Sequence, residues 1–216
     1  MRKYIFFMSF LCFGYLSSLY AQNDWLKNGN GISDHVAVNE FLTIGGELYA
    51  CGHHINEQFV SEPRMYKTTD GGDNWEQVNM SGLDIKTMNA VFEFNGSIFA
   101  SGALNAAGGM QYGVYRSKDN GSSWSKNGNG ISDHVAVNEF LTIGGELYAC
   151  GHHINEQFVS EPRMYKTTDG GDNWEQVNMS GLDIKTMNAV FEFNGSIFAS
   201  GALNAAGGMQ YGVYRK

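Results

Sequence analysis

The stretch of sequence that decides the fold is Thr68-Thr69-Asp70-Gly71-Gly72-Asp73-Asn74-Trp75. Its pattern of a hydroxyl residue, an aspartate, a glycine and a tryptophan at fixed spacing returns at 117–124 and at 167–174. The tryptophans of the chain stand at positions 25, 75, 124 and 174, about 50 residues apart. A period of this length, built from short strands, is typical of propeller blades rather than of helical solenoids.

A second and longer repeat contains the first. Residues 27–116 recur letter for letter as residues 126–215. The chain is therefore two near-identical units, and each unit holds two blade-sized periods. Such identity indicates a recent duplication, an engineered chain or a sequence-assembly artefact, and the sequence leaves these three origins open.

Each period divides into four short apolar segments separated by turn residues. A Gly-Gly pair at 45–46 separates the first two segments, as expected for a tight hairpin. The sequence therefore predicts an all-β fold of four-stranded antiparallel blades. The predicted strands of the first unit are 35–44, 47–53, 64–68 and 74–79, followed by 85–94, 97–104, 112–117 and 123–127.

The repeated turn resembles the Asp-box, or bacterial neuraminidase repeat. This resemblance covers essentially all of the chain after its first 21 residues and implies a sialidase-like or sortilin-like β-propeller. In that family the turn joins the third and fourth strands, away from the usual ligand face, and its role is structural. A calcium loop is the poorer reading, because the spaced carboxylates and terminal Glu are missing. The expected structural residues are Thr68, Asp70, Gly72 and Trp75, Ser117, Asp119, Gly121 and Trp124, and Thr167, Asp169, Gly171 and Trp174.

The segment Asn23-Asp24-Trp25 looks like the tail of a fourth box, and the sequence from it to Leu26 reads as a fourth strand. The chain ends at Lys216 in what reads as a third strand. The N-terminal strand would then complete the last blade and close a four-bladed monomer, or complete a neighbour's last blade in a head-to-tail homodimer. An arc of a larger propeller is the third alternative.

Composition and charge limit the class of protein. The chain has 216 residues, 13% aromatic content, 28 Gly, 2 Pro and a formal net charge of −8. The negative charge disfavours nucleic acid and anionic lipid as partners.

Residues 1–21 read as a signal peptide, since a basic start precedes an apolar run and Ala21. We therefore expect a propeller over 22–216 that is secreted, periplasmic or on the cell surface, with no membrane contact after cleavage. Cys51 and Cys150 are expected to be buried small apolar residues.

The chemistry of a sialidase does not follow from the resemblance. That activity would need three converging arginines, and residues 22–216 contain only Arg64, Arg116, Arg163 and Arg215. A glycoside hydrolase needs two carboxylates at a set separation, and no pair is marked among the acidic residues. The leading hypothesis is a non-catalytic propeller that binds a protein or glycan. The alternative is an extracellular glycoside hydrolase with an unrecognised carboxylate pair.

One polar cluster stands out as a candidate binding site on the expected ligand face. Its imidazoles and carboxylates could bind a divalent metal, but a polar loop with two hydrophilic His residues explains the pattern as well, and we expect no metal and no cofactor. The candidate residues are Asp34, His35, His53, His54 and Glu57, with their copies Asp133, His134, His152, His153 and Glu156.

Overall fold

A computed structural model describes residues 29–58, 60–104, 111–154, 160–203 and 210–216. These residues form fifteen β-strands and no helix. The strands are β1 (Val36–Ile44), β2 (Glu47–Ile55), β3 (Ser61–Thr68), β4 (Glu76–Gln77), β5 (Ala90–Phe94), β6 (Ser97–Ala103), β7 (Tyr112–Ser117), β8 (Ser125–Lys126), β9 (Val135–Ile143), β10 (Glu146–Ile154), β11 (Ser160–Thr167), β12 (Glu175–Gln176), β13 (Thr186–Phe193), β14 (Ser196–Leu203) and β15 (Gln210–Arg215).

The strands form four separate antiparallel sheets, each in simple meander order. Blade 1 is β1–β4, blade 2 is β5–β8, blade 3 is β9–β12 and blade 4 is β13–β15. The predicted all-β fold of four propeller blades is confirmed. Blade 4 shows three strands, and the segment 23–26, which was predicted to add a fourth, lies outside the described residues, as does the predicted signal peptide.

The hydrophobic core lies between consecutive blades rather than inside any one of them. Met65 of blade 1 packs with Val91 and Trp124 of blade 2. Phe99 of blade 2 packs in the same way with Trp174 of blade 3. Each blade is thus an apolar-faced sheet whose burial depends on its neighbours, which explains why the sequence repeats as blades.

The first predicted strand of blade 2 is shorter in the structure: the segment 85–94 was predicted to be a strand throughout, but β5 begins at Ala90. A close backbone contact lies just before β5. The Thr87 carbonyl turns toward Gly102, where an added Cβ would lie 1.8 Å from that oxygen. Equivalent close contacts occur at Gly52, Gly151 and Gly201. Glycine at these four positions therefore allows a close backbone approach that recurs in every blade.

The two cysteines lie on the second strands of blades 1 and 3. Cys51 and Cys150 are both buried and free, as the sequence predicted. Burial raises the pKa of both thiols, so they stay protonated and behave as small apolar side chains.

Candidate functional site

The candidate binding residues gather at one end of blades 1 and 3. His35 lies just before β1, His54 lies near the end of β2, and Glu57 lies in the loop between β2 and β3. The box turns join β3 to β4 and lie at the opposite end of the blade. This separation places the polar loops on their own surface, as the sequence predicted.

The structure brings His35 and His54 together. Their ring centroids are 6.2 Å apart and the rings are nearly perpendicular. The backbone N–H of Ile55 donates to the His35 carbonyl at 3.3 Å and holds the two segments side by side. His134 and His153 form the same pair in blade 3, with centroids 6.3 Å apart. The duplication therefore produces two equivalent imidazole pairs.

One ring nitrogen of each histidine pair has no hydrogen-bond partner among the described residues. His54 Nδ1 is buried and has no hydrogen-bond partner among the described residues, and the same holds for His153 Nδ1. A buried polar atom without a partner costs roughly 1–3 kcal/mol, so such atoms are rare in folded proteins. A hydroxyl or amide N–H from a ligand would satisfy this nitrogen in its unprotonated form.

His53, which precedes His54 on β2, contacts a different part of the blade. His53 and His54 are consecutive on β2 and so lie on opposite faces of the sheet. His53 Nδ1 lies 3.3 Å from Asn39 Nδ2, and in blade 3 the His152–Asn138 distance is 3.2 Å. Burial lowers the pKa of His152, which favours a neutral ring whose Nδ1 accepts from the amide. The structure therefore separates the two histidines that the sequence grouped together.

The loop between β2 and β3 is held by one side chain. Asn56 Oδ1 accepts from the backbone N–H of Gln58 at 3.0 Å and from that of Val60 at 2.9 Å. Glu57, at the tip, is exposed. The loop bounds an open cavity of about 620 Å³, which is large enough for a sugar residue or a peptide side chain. Its lining is His35, His54, Ile55, Asn56, Glu57 and Gln58.

The remaining candidates are placed less centrally. Asp34 is exposed beside His35, whereas Asp133 forms an ion pair with Lys126, with Nζ and Oδ1 2.9 Å apart. Glu156 lies outside the described residues. Within the described ranges, no group of three or more His, Cys, Asp or Glu side chains could hold a metal ion.

Sequence reasoning counted Glu40 only among the available acids, but the structure gives it a defined contact. Glu40 Oε2 accepts the backbone N–H of Val91 in blade 2 at 3.0 Å, and Glu139 accepts that of Val190 in blade 4 at 2.8 Å. Burial raises the pKa of both carboxyls, and the charge of Glu139 adds to the effect at Glu40. The break in apolar alternation at Asn39-Glu40 was the available sequence signal.

The predicted Asp-box residues form three matching turns. In the first, the buried Thr68 hydroxyl donates to Asp70 Oδ1 at 2.8 Å and accepts the Gly72 N–H at 3.0 Å. Asp70 also accepts the backbone and side-chain N–H groups of Asn74. The second turn uses Ser117, Asp119, Gly121 and Ser123, and the third uses Thr167, Asp169, Gly171 and Asn173. The tryptophans Trp75, Trp124 and Trp174 are all buried.

These hydrogen bonds make a pH-dependent contribution to stability. They lower the pKa of Asp70 and Asp169 to about 2, below the ordinary value of 3.8. A lowered pKa stabilises the folded chain above the unfolded-state pKa, and this stabilisation is lost as the pH falls toward 2. We expect the wild-type Tm to fall more steeply between about pH 4 and pH 2 than that of Asp70→Asn/Asp169→Asn. Thermal unfolding followed by circular dichroism tests this, and parallel curves would contradict it.

The arginines of the described residues occupy equivalent positions in the four blades. Arg64, Arg116, Arg163 and Arg215 all lie on the third strand of their blade. Arg64 and Arg163 pair with Glu62 and Glu161 of their own strands. Arg116 pairs with Asp172 of the next blade.

Solved structures place this architecture among known folds. The chain matches a Hadza microbial sialidase with a TM-score of 0.58 at 16% identity, over 83% of this chain and 44% of that one. The chain has a sialidase-like propeller fold. An α-L-arabinofuranosidase from Fusarium graminearum matches with a TM-score of 0.56 at 16% identity, over 86% of this chain and 63% of that one. A Trypanosoma rangeli sialidase matches with a TM-score of 0.53 at 14% identity, over 85% and 32%.

The similarity to these solved structures shows the fold alone. The chain spans 32–63% of the length of these three enzymes, at identities that show architecture alone. No protein family and no curated protein matches the sequence. The described residues contain no helix with the length and apolar character needed to cross a lipid bilayer.

Proposed function

We propose that this chain is a secreted, non-catalytic propeller of the Asp-box class that binds a protein or glycan through its loop face. One observation carries the proposal: the His35–His54 pair lines an open cavity and contains a buried ring nitrogen without a partner. The same arrangement of rings and nitrogen recurs at His134 and His153. Two equivalent sites on one scaffold suit repetitive ligands such as glycans, whose hydroxyls donate to unprotonated imidazole.

The test is binding to a glycan array and a peptide array by wild type and by His54→Ala/His153→Ala. We expect the double variant to lose at least about tenfold in affinity for the ligand found, or about 1.4 kcal/mol per site. Lys118→Ala, an exposed change at the box end of blade 2, serves as the matched control and keeps wild-type affinity. Unchanged binding by the double variant would contradict the assignment of the site.

The alternative, a glycoside hydrolase, has one supporting observation besides the fold. Burial raises the pKa of both Glu40 and Glu139, and the charge of Glu139 adds to the effect at Glu40, as the general acid of such an enzyme requires. Each also accepts a backbone N–H of a neighbouring blade, which favours a structural role. Turnover of aryl sialosides or arabinofuranosides that is abolished by Glu40→Gln or Glu139→Gln would replace the binding proposal.

A further inference from the structure

The two ends of the blade array carry exposed apolar side chains whose sequence copies are buried. Phe41 in blade 1 is 60% exposed, whereas its copy Phe140 in blade 3 is 5% exposed. Val213 in blade 4 is 79% exposed, whereas its copy Val114 in blade 2 is 3% exposed. Because the residues and their local sequences are identical, the difference arises only from what packs against them.

The junction between blades 2 and 3 shows what buries these residues. Phe99 of blade 2 contacts Phe140 and Trp174 of blade 3, with centroids 6.1 Å apart in both contacts. At the edge of this cluster, Arg116 of blade 2 pairs with Asp172 of blade 3, with Nη1 and Oδ1 2.8 Å apart. This junction joins an apolar face of one blade to a different apolar face of the next.

The chain presents a second copy of each half of that junction, one at each end. The front face of blade 1 repeats the blade 3 half, and its Phe41–Trp75 contact of 6.2 Å repeats the Phe140–Trp174 contact. The back face of blade 4 repeats the blade 2 half. The front face is Val36, Val38, Phe41, Leu48 and Trp75, and the back face is Ala189, Phe191, Phe193, Phe198 and Val213.

A cavity between blades 3 and 4 gives a second, independent indication. It has a volume of about 440 Å³, and its apolar lining includes Met164, Met179, Leu182 and Tyr214. The copies of these residues in blades 1 and 2 surround the buried side chain of Trp124. The cavity therefore has the same apolar lining as the site that holds Trp124.

The empty space beside Gly181, which lines this cavity, supports the same interpretation. A Cβ on Gly82 would lie 2.4 Å from the Trp124 carbonyl, whereas one on its copy Gly181 would meet nothing within 4 Å. The residue one repeat before Trp124 in the sequence is Trp25. A segment carrying Trp25 thus has the sequence that this cavity accommodates elsewhere in the same chain.

We propose that the partner for both surfaces is a second copy of this chain, docked head to tail. The front face of the partner's blade 1 covers the back face of blade 4 and reproduces the blade 2–blade 3 junction. The same contact covers the cavity beside β15. Arg215 then pairs with the partner's Asp73, as Arg116 pairs with Asp172.

The end faces set the number of contacts. Each copy has one front face and one back face, so two copies docked head to tail form two identical contacts. These two contacts cover all four faces, which are otherwise exposed.

Sedimentation velocity of the purified chain tests the proposal. We expect one species of twice the mass of the purified chain at micromolar concentration. Phe41→Lys and Phe191→Glu alter exposed side chains, so the monomer should fold as judged by circular dichroism, while dimer affinity falls at least about 100-fold. A wild-type species at the monomer mass, or a dimer that survives both substitutions, would overturn the proposal.

Mixing the two variants tests the head-to-tail geometry. A mixed pair has one wild-type junction and one junction in which the two introduced side chains, of opposite charge, face each other. An equimolar mixture of Phe41→Lys and Phe191→Glu should therefore recover the dimer. A dimer joined by two like faces predicts a different result, because one variant alone would then remain dimeric. The dimer does not depend on the proposed ligand, and loss of dimerisation would leave the array result unaffected.

Discussion

Replacing Phe140 with alanine is expected to lower the free energy of unfolding by about 3–5 kcal/mol. Phe140 is buried at the centre of the blade 2–blade 3 junction, between Phe99 and Trp174. Its removal leaves a cavity bounded by two rigid sheets, which cannot collapse into the space. Urea unfolding followed by circular dichroism measures the effect.

The duplicated sequence supplies a matched control in the same chain. Phe41→Ala makes the same chemical change in the same local sequence, but at the exposed front face of blade 1. At concentrations where the chain is monomeric we expect it to cost less than about 1 kcal/mol. Equal losses from the two substitutions would contradict the arrangement of blades described above.

Replacing Gly102 with alanine is expected to cost at least about 3 kcal/mol. The new Cβ would lie 1.8 Å from the backbone oxygen of Thr87, and backbone atoms cannot move aside as a side chain can. Gly113, which is paired with Gly102 across β6 and β7, provides the control. A Cβ there would meet side-chain atoms of Tyr115 and Leu104, so Gly113→Ala should cost clearly less. Urea unfolding of both variants measures the difference, and similar losses would show that the strand contact is not rigid.

The blade architecture could be predicted because its signals are local and repeated. The spacing of Trp75, Trp124 and Trp174 sets the blade length, and the Gly-Gly and Asn-Gly pairs mark hairpin turns. The close approach of the Thr87 carbonyl to Gly102 could not be predicted, because it depends on how two segments of the blade pack. That contact joins residues far apart in sequence, and no local pattern encodes it.

The geometry of the candidate residues could not be predicted. His53 and His54 are adjacent in sequence, but strand alternation sends only His54 toward His35. The role of Glu40 depends on the amide of Val91, 51 positions away and in another blade. The contrast between Phe41 and Phe140 could not be predicted, since the two residues have the same neighbours in sequence and different neighbours in space.

We propose two ligand sites per chain, one built on His54 in blade 1 and one on His153 in blade 3. Isothermal titration with the tightest glycan or peptide from the arrays counts these sites. We predict two ligands per chain for wild type, one for His54→Ala and one for His153→Ala. A single site per chain, or a stoichiometry that neither substitution changes, would contradict the claim.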